Sequence, residues 1–97
     1  MQLLMPEQKC PLCEKFARYR GIEDRKKYFK CPKCHDFVIP KNDEETIAKQ
    51  TKEIREDLSK KSSALGNESA LLIYFSRSAE GTLKLMIEIT PRDRWIS

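Results

Sequence analysis

Four cysteines in two steps of the same spacing, Cys10-Pro11-Leu12-Cys13 and Cys31-Pro32-Lys33-Cys34, constrain what this chain can fold into more than any other feature. A C-x-x-C step turns tightly enough for two sulfurs to reach one ion. The intervening residues 14–30 are long enough for a short hairpin that sets the second turn beside the first. The economical reading is one tetrahedral site in which Cys10, Cys13, Cys31 and Cys34 hold a single Zn²⁺ as thiolates. Pro11 and Pro32 fix φ in each turn and remove a donor there, which suits a thiolate-bearing turn better than a helix. At 97 residues and 39% hydrophobic, the chain has material for only a small core, and metal ligation or self-association commonly makes up the difference.

No basic, apolar, small-residue leader opens the sequence, and the longest apolar stretch, Ala70 to Phe75, is far too short to cross a bilayer. The expected setting is therefore cytoplasmic, with no membrane partner. In that setting thiols stay reduced, which favours a metal site over two disulfides.

Around the cysteines the pattern is turn, strand, loop, strand, turn, strand: Phe16 to Arg20, a reversal over Gly21 to Lys26, Lys27 to Lys30, then Phe37 to Ile39. Leu3, Leu4 and Met5 are expected to pack on this module. With its two Cys-Pro-x-Cys turns, the stretch from Met5 to Lys41 resembles the zinc-ribbon family. Many ribbons carry Gly after the second Cys of each knuckle, whereas this chain has Glu14 and His35. The resemblance implies a ribbon fold and a role ranging from nucleic-acid contact in transcription and replication proteins to a structural clasp or docking surface.

Residues 1–43 carry ten Lys and Arg against six Asp and Glu, while residues 44–97 carry nine against nine. Bulk charge alone says little, because four thiolates around a divalent ion bring the formal +4 down to about +2. The pattern says more. Arg18, Arg20, Arg25, Lys26, Lys27 and Lys30 alternate with Tyr19, Tyr28 and Phe29, the mix expected where cations meet phosphates and rings meet bases of DNA or RNA. Against this stands the reading of Phe16, Phe29 and Phe37 as the module's core and of the basic residues as its solvated face.

From Asn42 a single helix is expected to run to about residue 65, with Asn42 as N-cap, Glu45 three residues on, Lys60 and Lys61 late and Gly66 beyond. Its apolar seam, Ile47, Thr51, Ile54, Leu58 and Leu65, is narrow, as in a helix that meets one partner. Then Ala70 to Arg77 and Thr82 to Thr90 alternate strongly around Ser78-Ala79-Glu80-Gly81, a β-hairpin with Leu71, Ile73, Phe75, Leu83, Leu85, Ile87 and Ile89 on one face. A lone hairpin with that face and two open edges calls for a cover, either a second copy or another protein. The contact residues expected are Ile47, Ile54, Leu58, Ile73, Phe75, Leu85, Ile87 and Trp95; Trp95 equally suits folding back onto the chain's own core.

Catalysis is not expected. His35 is the sole histidine, four Cys ligands leave a metal no open position for water, and three glycines make no phosphate loop. The expected architecture is α+β: a zinc ribbon over residues 1–41, then a helix plus β-hairpin over 42–97 as an interaction or oligomerisation module. The function expected is non-enzymatic nucleic-acid binding, with transcription as the setting. The alternative is a protein-interaction subunit whose ribbon is structural. A minor third is an electron carrier similar to the rubredoxins, whose turns are alike but set further apart.

Overall fold

The computed structural model describes residues 6–95, so the packing expected of Leu3, Leu4 and Met5 lies outside the described residues. Six strands form: β1 (Glu7–Lys9), β2 (Phe16–Ile22), β3 (Lys26–Cys31), β4 (His35–Pro40), β5 (Ser69–Arg77) and β6 (Leu83–Pro91). β6 alternates apolar and polar side chains, whereas β4 and β5 carry continuous apolar runs buried on both faces. All six form one sheet in sequence order, mixed with helices as the sequence suggests. Neighbours pair antiparallel except β4 and β5, which run parallel and match Phe37 to Leu71 and Val38 to Leu72. A parallel pair cannot be joined by a tight turn, and the connection here carries two helices, α1 (Lys41–Ala48) and α2 (Lys52–Ser63). The cysteine-bearing strands and the C-terminal hairpin thus share one sheet.

The single helix expected from Asn42 is in fact two. Asn42 lies inside α1, whose N-cap is Pro40, with no side-chain cap; Asp43 and Glu44 occupy the first turn, where the helix dipole favours acid. The break falls before Thr51. Instead of joining an apolar seam, its hydroxyl accepts the Ile54 amide at 3.2 Å and starts a new helix. Gln50 and Arg55 bridge the corner, Gln50 N donating to the Ile47 carbonyl and Arg55 Nε to the Gln50 carbonyl. The inner face of α2 is therefore Leu58, Ser59 and Ser62, all buried.

One face of the sheet meets these helices. Cys10, Leu12, Ala17, Phe29, Cys31, Cys34, Phe37, Ile39, Ile47, Leu58, Leu71 and Ile73 form one continuous core there. The rings of Phe29 and Phe37 stack at 4.9 Å and 8° in its middle. On the other face Tyr28, Val38, Ala70 and Leu72 make a smaller cluster, flanked by Ile22, Tyr74 and Trp95. Trp95 folds back onto its own chain, Nε1 donating to Thr90 Oγ1 at 2.8 Å.

Of the two open hairpin edges expected, one is taken: β5 pairs with β4, and beyond Leu72 the Asp43 carboxylate of α1 accepts the Phe75 amide at 3.1 Å. That bond satisfies a strand donor left without a ladder partner. Ile73 and Leu71 are covered, Phe75 and Leu85 are half-buried, and among the described residues the open edge of the hairpin is β6. Phe16, expected in the core, is 73% exposed. Strand parity explains it. Ala17 and Tyr19 point to the helix side, so Phe16, Arg18 and Arg20 must point to the other.

Candidate metal centre and basic strand face

Each cysteine pair is placed by a turn at a strand end. In the first knuckle Cys10 N donates to the Lys15 carbonyl and Glu14 N to the Cys10 carbonyl, so the chain reverses within five residues. Glu14 and His35, the residues after each second cysteine, have φ of 66° and 65°. This is the left-handed conformation that glycine adopts cheaply, and each side chain there is held at a cost of about 1 kcal/mol or more. Both knuckles make the turn without the glycine, and His35 points to solvent.

The two turns bring four sulfurs together. Cys10 Sγ and Cys34 Sγ are 3.9 Å apart, Cys13 Sγ and Cys31 Sγ 3.4 Å, and all four lie within 4.8 Å of one another. A tetrahedral ion with metal–sulfur bonds of about 2.3 Å requires sulfurs about 3.8 Å apart, so the set can hold a metal. Three of the four are buried and Cys13 is half-buried, which closes the site as structural sites are closed.

The electrostatics point the same way. The hydrogen bond between the Cys34 and Cys10 thiols pulls Cys10 down from 9.0 to about 5 against its burial, while the same hydrogen bond and burial push Cys34 up. Burial is the main cause raising Cys13 to about 11. Sulfurs this close cannot all ionise unaided, since each thiolate disfavours the next. A divalent cation is what would let all four be thiolates together.

Helix α2 supports this cluster from behind. Ser59 Oγ lies 3.0 Å from Cys34 Sγ, and Ser62 Oγ donates to the carbonyls of Cys34 at 2.6 Å and Asp36 at 3.3 Å. Such outer contacts orient a ligand and fix its charge. Sequence reading missed both serines, although their i, i+3 spacing beside Leu58 was the available signal: they carry the inward face of α2 from Leu58 toward Leu65.

The cationic residues separate into two groups. Lys27 is structural: its Nζ pairs with Glu44 at 2.8 Å, donates to Gln8 Oε1 at 2.9 Å and lies over the Tyr19 ring at 4.5 Å. Lys26 is half-buried beside Asp24, and Arg25 is exposed in the reversal with a φ of 56°. Arg18, Arg20 and Lys30 share the face away from the helices, with Arg18 directly opposite Lys30 and Arg20 opposite Tyr28. Tyr28 and Phe29 are fully buried and offer no ring for stacking; the exposed ring on this face is Phe16. The Tyr28 hydroxyl bonds the Asp36 carboxylate, which Arg92 Nε also holds at 2.9 Å. Burial and that carboxylate push the Tyr28 hydroxyl well above its ordinary value.

The expected contact residues also divide. Ile47, Leu58 and Ile73 are buried within the chain, Phe75, Leu85 and Trp95 are half-buried, and Ile54 and Ile87 are exposed. Among the described residues no helix is long and apolar enough to cross a membrane. No protein-family model, no curated protein and no solved structure matches the chain.

Proposed function

We propose that this is a non-enzymatic zinc-ribbon protein that binds single-stranded DNA or RNA on the strand face opposite its helices. The observation that carries the reading is the pairing of Arg18 with Lys30 across β2 and β3, next to a Phe16 ring left 73% exposed. Like charges directly opposite one another cost stability. Glu7 approaches Arg18 only to 3.9 Å, and Asp36, opposite Lys30, is committed to Arg92 and Tyr28. A phosphate between the two cations relieves that repulsion, and a neighbouring base can stack on Phe16. Zn²⁺ held by Cys10, Cys13, Cys31 and Cys34 would clasp the two knuckles together and would take no part in contact.

Replacing Arg18 and Lys30 by Ala should weaken binding of a labelled oligonucleotide at least about tenfold at low salt and flatten the salt dependence by about two charges' worth. Fluorescence anisotropy across a salt series measures both. Phe16→Ala should weaken binding about tenfold, in line with one lost base stack. An oligonucleotide that fails to bind at low salt, or affinity untouched by these changes, refutes the reading. The second reading is an interaction subunit whose metal site is structural. It is supported by Leu83, Ile87 and Ile89 of β6, all exposed.

A further inference from the structure

On the far side of the sheet from the basic strands, the β6 edge is nine residues long and apolar on its helix-facing side. Leu83 is 44% exposed, Ile87 37% and Ile89 68%, and between β6 and α2 runs a groove of about 330 Å³ walled by Ile54, Leu58, Leu85 and Ile87. Long, apolar open edges are what soluble proteins normally shorten, charge or cover. The opposite edge strand, β1, is three residues with Glu7 and Lys9.

Backbone parity shows what the edge offers. Ser78 N bonds the Thr82 carbonyl and Arg92 N the Glu68 carbonyl, so the even-numbered residues of β6 direct their amides and carbonyls at β5. Those of Leu83, Leu85, Ile87 and Ile89 therefore point outward, unpaired by β5, and can form a new antiparallel ladder.

We propose that the occupant of this edge is a second copy of this chain, paired antiparallel about a twofold axis at Met86, so that two six-stranded sheets become one. The side-chain pattern singles out both the occupant and the register. About Met86, Leu85 falls opposite the second copy's Ile87 and Leu83 opposite its Ile89, extending the apolar face across the joint. On the other face Lys84 falls opposite the second copy's Glu88, and Glu88 opposite its Lys84, giving two charge pairs by symmetry. Moving the axis one residue either way sets each charge against Met86 or a threonine instead. The strand is thus complementary to itself in one register. The two grooves beside α2 then face each other across the joint, with Ile54 at the edge of each. This assembly is independent of nucleic-acid binding, which uses the other half of the sheet.

Reversing the charges tests it, because Lys84 and Glu88 are exposed and their replacement leaves each chain's own core intact. The metal-loaded full chain should scatter light as a particle of about twice 11.4 kDa at micromolar concentration. Lys84→Glu alone, or Glu88→Lys alone, sets like charges opposite each other twice and should weaken the dimer about tenfold or more in sedimentation equilibrium. The double variant Lys84→Glu/Glu88→Lys should restore the wild-type dimer, and Ile87→Asp should abolish it. A wild-type monomer at tens of micromolar overturns the proposal, whether or not the edge binds another protein. So does a dimer that neither single reversal weakens, or one that the double reversal fails to rescue.

Discussion

Stripping the metal from this chain should unfold most of it, and well beyond the 40 or so residues of the cysteine-bearing module. Cys10, Cys31 and Cys34 are members of the same buried core as Ile47, Leu58, Leu71 and Ile73, so no packing boundary separates the metal site from the helices. Ser59 and Ser62 bond Cys34 directly, which ties the last turns of α2 to the position of one candidate ligand. Thiolate ligation of this type contributes on the order of 10–16 kcal/mol of apparent free energy near neutral pH. That matches or exceeds the ordinary stability of a domain, about 5–15 kcal/mol. One zinc per chain is expected, and a strong chelator, or Cys34→Ser, should remove most of the helical circular dichroism along with the strand signal. Protons compete with the metal for sulfur, so the loss should come sooner as the pH falls. Purified protein with no metal, or with mainly iron after growth with both available, would contradict this, as would a chelated chain that keeps its helical signal.

The second large effect expected is at Phe37. Its ring is fully buried, stacks on Phe29, and sits on β4, the strand where the two halves of the sheet meet. Phe37→Ala removes the transfer energy of the ring and leaves a cavity walled by helices on one side and sheet on the other, costing about 3–5 kcal/mol. In urea the metal-loaded variant should lose a large part of its midpoint concentration with little change in slope. Phe16→Ala is the internal comparison: the ring is exposed, and its removal should shift stability by no more than about 0.5 kcal/mol. A loss below about 1 kcal/mol at Phe37 would mean that the site collapses onto itself and is not rigidly packed.

What the sequence made legible was local. The two C-x-x-C steps marked the four cysteines whose sulfurs the fold brings within 4.8 Å of one another, because each turn and its candidate ligand pair are the same few residues. The hairpin of β5 and β6 was legible because two short apolar-rich segments, the second of them alternating, flank a Ser78-Ala79-Glu80-Gly81 turn. The break at Thr51 was not, since a threonine inside a helical pattern and a threonine that caps a new helix look alike until the chain's direction is known. Nor was the exposure of Phe16: a phenylalanine's side of a strand depends on register, and register was set by Ala17 and Tyr19 facing the helices. The supporting role of Ser59 and Ser62 was hidden for a related reason. A buried hydroxyl reads as a gap in an apolar stripe until the sulfur it touches is placed.

The parallel joint between β4 and β5 has a consequence for the order in which the chain finds its shape. Every other strand pair joins near neighbours, as Arg77 with Leu83 does across the hairpin loop, but the joint matches Phe37 to Leu71, 34 positions on (37 to 71), through two register pairs only. Bringing such distant residues together costs loop entropy before many contacts repay it, whereas hairpins close early and cheaply. The cysteine-bearing hairpins and the C-terminal hairpin should therefore exist as separate, flickering pieces, and their docking with α1 and α2 between them should set the pace of folding. Leu71→Ala, at the joint, should slow refolding in stopped-flow measurements, while Leu83→Ala, at the hairpin tip, should leave that rate alone. Equal refolding rates for the two would place the docking step after the barrier. If docking is rate-limiting, the apolar sides of both hairpins face water for as long as it takes, and the speed of that one encounter governs how long a newly made chain is open to aggregation.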